Sequence, residues 1–222
     1  MSPEIRVAIL DDHQGIIDGY CYRLEKDPNI QVVATRAYGE ELEPMLAEQA
    51  VDVLFLDINV PTSADNSNPY PILHLIPRLL QQYPDLNILV ISMYHQASLV
   101  KNVMEAGASG YVMKDDRLTI QELAAVARTV ASGGIHLSRE AHDQYLKKIP
   151  KEDNLSPRQL EAISLCAAYP EKTTAEIAKL MDVANSTVRN LLSEAYLRLE
   201  APNRMAAVAK ARRLGIIAPD EN

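Results

Sequence analysis

The sequence predicts a doubly wound α/β domain built on a five-stranded parallel sheet, followed by a small all-α domain. Three observations predict it. Short apolar runs at 5–10, 30–34, 51–56, 87–91 and 110–113 recur at helix-length intervals, the pattern of parallel strands buried on both faces. From Leu155 onward only helical patterns remain. The charge balance also breaks near that point. Residues 1–150 carry 12 basic and 20 acidic side chains, while residues 155–222 carry 9 and 8. A break of this kind predicts two modules with different partners.

The strand IRVAIL (5–10) leads into a helix over 13–26 that ends before Asp27-Pro28-Asn29. IQVVA (30–34) precedes a helix over 40–50, with Pro44 in its first turn, where proline is tolerated. VDVLFL (51–56) is followed by Val60 to Pro71, which holds three prolines, two serines and two asparagines and reads as irregular structure. That stretch is either a tolerated surface insertion or a partner-selecting, lid-like loop. A helix over 71–83 stops before Pro84, and a strand at 87–91 precedes a helix over 96–106 that ends at Gly107. The strand 110–113 and a helix over 119–132 complete five β-then-α repeats. These repeats place a first domain at 1–134 and a polar linker, helical at most in its first half, at 135–154. A helical domain then covers 155–218, with helices at 157–168, 173–181, 185–199 and 203–214.

Composition narrows the function. A net charge of −8 argues against nucleic-acid affinity spread over the whole molecule. Cys21 and Cys166, one per module, make neither a disulfide framework nor a zinc pattern. With no signal peptide or membrane-length apolar run, a cytoplasmic protein without membrane contact is expected.

The informative residues sit where strands end: Asp11 and Asp12 after 5–10, Asp57 after 51–56, Ser92 after 86–91 and Lys114 after 110–113. Ligands of parallel sheets gather outside the carboxyl ends of the strands, so these groups are expected to share one crevice. Crowded carboxylates need a cation to remain ionised together. Mg²⁺ suits them, being held by a few carboxylates plus water and phosphate oxygens. Lys114 and Ser92 would contact a phosphoryl group, and Asp57 is the candidate nucleophile. His13 offers either a catalytic or metal role or a polar helix start.

The strings LDDH (10–13), LFLDINVP (54–61), ISMY (91–94) and GASGYVMKD (107–115) resemble the receiver domain of bacterial two-component response regulators over about residues 5–133. The resemblance implies that Asp57 accepts the phosphoryl group from a sensor histidine kinase. It makes Asp12 a direct Mg²⁺ ligand with Asp11 acting largely through water, and Asn59 a ligand through its backbone carbonyl. Ser92 becomes the switch hydroxyl, Lys114 the phosphoryl partner, and Tyr111 the aromatic that turns inward on activation, with 87–113 as the bistable region. Packing at a strand end is the alternative role for Tyr111. The chain departs from the family after Pro61, where a longer stretch, Thr62–Pro71, replaces a short glycine turn.

In the second module Ser156 and Pro157 open a helix. The short helix 174–181, the turn Asp182–Asn185 and a longer helix have helix-turn-helix spacing. This stretch resembles the LuxR-type output domain of the NarL/FixJ class, through Leu155, Arg158, Glu161, Glu176, Ile177, Ala178, Thr187, Val188, Asn203 and Arg204 among others. The resemblance implies base-facing Arg189, Asn190 and Ser193, and phosphate contacts from Lys179, Ser186 and Thr187, on double-stranded promoter DNA. Ala184 and Ala175 replace the family's usual serine and lysine, and Glu194 lies near Asn190. The face is therefore poor in positive charge, and DNA binding is expected to need a homodimer. The last helix carries Met205, Val208 and Leu214, for pairing two domains or for packing within one.

A phosphorylation-controlled transcription factor is the function expected. A phosphorylation-controlled adaptor that binds a protein partner is the alternative. An external Mg²⁺-dependent phosphohydrolase fits less well, because such enzymes use Asp-x-Asp where this chain has Asp57-Ile58-Asn59. No turnover of an external substrate is expected.

Overall fold

The computed structural model describes residues 4–147 and 155–219. A parallel sheet forms from β1 (Ile5–Leu10), β2 (Ile30–Arg36), β3 (Val53–Leu56), β6 (Asn87–Ser92), β7 (Gly110–Met113) and β8 (His136–Leu137), in the order β2-β1-β3-β6-β7-β8. Alternation along the strands feeds two cores. Val7, Ile9, Val53, Phe55, Leu89 and Ile91 pack against α1 (Gln14–Leu24) and α6 (Leu123–Ala131). Ala8, Leu10, Leu54, Leu56, Ile88 and Val90 face α2 (Leu42–Glu48), α3 (Ile72–Gln82) and α4 (Ala97–Glu105). Helices on both faces leave only the strand ends open, so polar residues at those ends point to a common crevice.

The sheet has six strands where the sequence predicts five. The added strand comes from the start of the expected linker. His136 and Leu137 lie beside Gly110 and Tyr111. Gly110 makes room for them, since a Cβ there would sit 2.3 Å from the His136 carbonyl oxygen. The helix α7 (Arg139–Leu146) then packs on α4, and the buried Ser138 Oγ accepts from the Met113 amide at 3.1 Å. The remainder of the expected linker, 148–154, lies outside the described residues.

A second correction concerns 60–71. This stretch contains a regular antiparallel hairpin, β4 (Pro61–Ser63) with β5 (Asn66–Pro69). Its prolines pair with each other at the open end of a two-stranded ribbon, where strands tolerate a missing donor. Thr62 is fully buried and its hydroxyl donates to the Asn68 carbonyl at 2.8 Å. The Asn66 side chain accepts from the Asn68 amide at 3.1 Å, and Tyr70 N–H closes the base on the Val60 carbonyl at 2.9 Å. These hydrogen bonds compensate for the composition that predicts irregular structure. The helix expected over 119–132 is also divided: α5 (Arg117–Gln121), capped by Asp116, breaks at Glu122 before α6.

The second domain packs α8 (Pro157–Ala168), α9 (Thr174–Leu180), α10 (Asn185–Arg198) and α11 (Arg204–Arg213) around a core of its own. Capping boxes start α8 at Ser156 and α9 at Thr173. Arg204 donates to the Tyr169, Lys172 and Cys166 carbonyls, closing the end of α8. Among the described residues no helix is long and apolar enough to cross a membrane.

One side chain between the domains carries a pH prediction. His74 on α3 is partly buried and its Nδ1 has no partner. Burial, aided by the Arg78 and Arg158 charges, pushes its pKa down from 6.5 to about 3. The folded protein thus holds His74 neutral. Its contribution to stability is complete above about pH 6.5 and is lost as pH falls toward 3. Melting between pH 7.5 and 5.5 should show His74→Gln losing less stability than wild type, by at most about 1.4 kcal/mol per pH unit below 6.5. Equal slopes would remove His74 as the cause.

Candidate functional site

Parallel pairing of β1, β3, β6 and β7 brings the five predicted side chains to one end of the sheet. The Asp57 amide donates to the Leu10 carbonyl at 2.9 Å, which sets Asp57 beside Asp11. The Lys114 amide donates to the Ser92 carbonyl at 2.8 Å, aligning the other two strand ends. Lys114 Nζ lies 2.7 Å from Asp57 Oδ2 and 2.7 Å from Asp11 Oδ2, and all three groups are at least nine-tenths buried. Asp57 Oδ1 accepts from the Asn59 amide at 3.2 Å. Asp12 is more open and lies 2.9 Å from His13 Nδ1.

The electrostatics follow from this crowding. Burial pushes the Asp57 carboxyl above the usual carboxylate range. Lys114 opposes that shift and Asp11 adds to it. Burial alone would lower the Lys114 ammonium, but Asp57 and Asp11 outweigh it and the net shift is upward. One lysine therefore serves two buried carboxylates, with a third beside them. Ligand atoms of Asp11, Asp12, His13 and Asp57 all lie within 4.8 Å of one another. Carboxylate oxygens in this density suit a hard divalent cation. The buried Asn59 Oδ1, which has no hydrogen-bond partner, shows that the neighbouring loop retains unused oxygen capacity.

Ser92 is fully buried and its Oγ accepts from the Tyr94 amide at 3.2 Å. Tyr111 is also fully buried, and its hydroxyl donates to the Tyr94 carbonyl at 2.5 Å. The ring lies inward, within the core formed with α2, α3 and α4. Sequence reasoning missed two participants. Tyr94 links Ser92 to Tyr111 through its backbone, which leaves no side-chain signature. Ser138 positions Met113, next to Lys114, from a segment that the sequence assigns to the linker.

On the output domain, Lys179, Ser186, Thr187, Arg189, Asn190 and Ser193 are all exposed, on α9 and on α10. Val188, Leu192 and Ala195 anchor the opposite face of α10. The helix begins at Asn185, with Ala184 in the cap position and no side-chain cap. The Glu194 carboxylate, expected to weaken the face, accepts from Gln159 Nε2 of α8 at 2.8 Å.

A parallel α/β fold with a lysine-bridged carboxylate pocket at its strand ends, joined to a helix-turn-helix domain, defines a class of signal receiver with an output module. Residues 7–127 match the response regulator receiver domain, and the chain belongs to that family. Residues 153–201 match Sigma-70, region 4. Among curated relatives, the transcriptional regulatory protein DegU of Brevibacillus brevis is 25% identical over 96% of this chain and 94% of its own. The DNA-binding transcriptional activator DevR/DosR of Mycobacterium tuberculosis is 29% identical over 95% of each chain. The structure of RcsB from Salmonella enterica serovar Typhimurium, bound to promoter rprA with the phosphomimetic BeF3−, superposes with a TM-score of 0.65. It is 22% identical and covers 93% of this chain and 98% of that one, a likeness of fold.

Proposed function

We propose that this response regulator accepts a phosphoryl group on Asp57 from a sensor histidine kinase, forms a homodimer and binds double-stranded promoter DNA. The observation that carries the reading is Lys114 Nζ placed 2.7 Å from both Asp57 and Asp11, inside a cluster of carboxylates. An Asp57 oxygen attacks phosphorus as the bond to the donor imidazole breaks, and the imidazole leaves with the electron pair. Asp11, Asp12, Asp57 and the Asn59 backbone carbonyl would hold Mg²⁺, which when bound supplies charge neutralisation for the incoming phosphoryl oxygens. Lys114 follows its Asp57 oxygen onto a phosphoryl oxygen, and the Ser92 hydroxyl donates to another. Tyr111 already occupies the inward position.

DNA binding is supported by the exposed set Lys179, Ser186, Thr187, Arg189, Asn190 and Ser193, and by the relatives named as transcriptional regulators. Phosphate contacts make affinity salt-dependent, and a bidentate base contact discriminates by about 1–3 kcal/mol. A gel-shift of BeF3−-treated protein against genomic fragments should show a salt-sensitive shift. Arg189→Ala should weaken it about tenfold or more at the preferred fragment and less at random ones. A protein that shifts no fragment at low salt would favour the adaptor reading.

A further inference from the structure

The helical domain touches the receiver at two separate places. On one side the hairpin reaches α8, where Asn66 Nδ2 donates to the Ala168 carbonyl at 3.0 Å, across 102 residues of sequence. Next to it, the Tyr169 hydroxyl meets Glu40 Oε1 at 3.4 Å. On the other side, the Ser98 hydroxyl at the start of α4 donates to the Leu214 carbonyl. Gly215 follows with φ +66°, and a Cβ there would lie 2.8 Å from Gln96 Cβ and 2.8 Å from Ser98 Oγ. Between the two sides is a cavity of about 10 Å³ whose lining includes Ile58, Tyr70, Leu73, Ser164 and Ile217.

Both sides lead directly to the chemistry. The hairpin begins four residues after Asp57, and Ile58 itself lines the cavity. Ser98 lies six residues after Ser92, beyond the Tyr94 backbone that engages both Ser92 and Tyr111. The contact does not cover the DNA-facing residues, since Arg189, Asn190 and Ser193 stay exposed and Met205 on α11 is 83% exposed. The junction is also loosely satisfied. The Ser164 hydroxyl is buried without a partner, a state that weakens the junction. An interface of this kind can exist in two arrangements of similar energy, and a ligand that contacts them unequally shifts their populations.

We propose that the 61–69 hairpin is a strut that couples the phosphorylation state of Asp57 to the DNA affinity of the helical domain, with the Ser98–Gly215 contact as its counterpart. It acts by setting how the output domain is held, not by masking its DNA-facing side. The inference rests on the function proposed above.

Two variants test it. Asn66→Asp preserves the acceptor for the Asn68 amide, removes the bond between domains and sets a repulsive carboxylate oxygen against the Ala168 carbonyl. Gly215→Ala inserts a methyl group into the contact with Gln96 and Ser98. DNA affinity of the full chain is measured with and without BeF3−, and labelling of Asp57 by acetyl phosphate serves as a control. The wild type should change DNA affinity by about fivefold or more on BeF3− binding, an ordinary coupling between two sites. Both variants should still be labelled and still bind DNA, with the change reduced below about twofold. By reciprocity, DNA should alter BeF3− affinity by the same factor in the wild type and not in the variants. Variants that keep the wild-type factor overturn the strut while leaving the proposed function standing. A wild type that is not labelled, or shifts no DNA, overturns the proposed function and the strut with it.

Discussion

Asp57→Asn is expected to reduce labelling by acetyl phosphate or a histidine kinase to background, a loss of at least about a hundredfold, while the fold is retained. The loss follows because an amide oxygen is a far weaker nucleophile than a carboxylate, and no other carboxylate has the same place. Asp11 is tied to Lys114 at 2.7 Å and to the His13 amide at 2.9 Å, and Asp12 lies at the more open rim beside His13. The fold survives because burial already disfavours the charge on Asp57. The asparagine oxygen can still accept from the Asn59 amide, and Lys114 keeps Asp11 as its partner. The melting temperature should therefore move by only a few degrees. Phosphoryl uptake at the wild-type rate would show that the nucleophile is a different residue.

The largest effect on stability is expected from Lys114→Ala. Removing the ammonium leaves Asp11 and Asp57, both almost fully buried, without their shared cation. Breaking a buried pair by deleting one partner costs about 3–5 kcal/mol, chiefly from the stranded charge. The pH dependence has a definite sign. Burial raises the Asp57 carboxyl in the folded state, and Lys114 is the largest influence opposing that rise. A group raised on folding favours the fold at low pH and penalises it as pH climbs through the folded value. The variant should thus be weakest relative to wild type near pH 8 and recover toward pH 5. Mg²⁺ at millimolar concentration should restore stability by mass action, because a cation bound to the native pocket replaces the missing charge. Urea unfolding at the two pH values, with and without Mg²⁺, measures all three effects. Midpoints matching the wild type throughout would mean that the two carboxylates do not depend on Lys114.

The pocket was legible in the chain because its rule is local. Each of Asp11, Asp57, Ser92 and Lys114 ends a recognisable apolar run, and parallel pairing of those runs leaves their ends together. The outward positions of α10 were assigned only through the resemblance to a known output domain; in the structure Val188, Leu192 and Ala195 are buried at helical spacing while Arg189 and Asn190 are exposed. The hairpin was not legible. Its sequence has turn-forming composition throughout, and its order comes from side-chain bonds such as Thr62 to Asn68 and from the base it closes on Val60. The sixth strand was hidden because a two-residue strand has no periodicity. It exists because Gly110 leaves space beside β7.

The amino-acid order by itself determined two domains and the strand ends that carry the polar cluster. Each depends on patterns within a few turns or strands, where alternation decides which side chains leave water. Tertiary structure alone decided how Lys114 divides itself between two carboxylates, that Glu194 is held by Gln159, and that Asn66 and Ser98 meet the helical domain. These outcomes join residues tens to more than a hundred positions apart, and their energies arise only once the packed elements exclude water and bring the groups within hydrogen-bond reach.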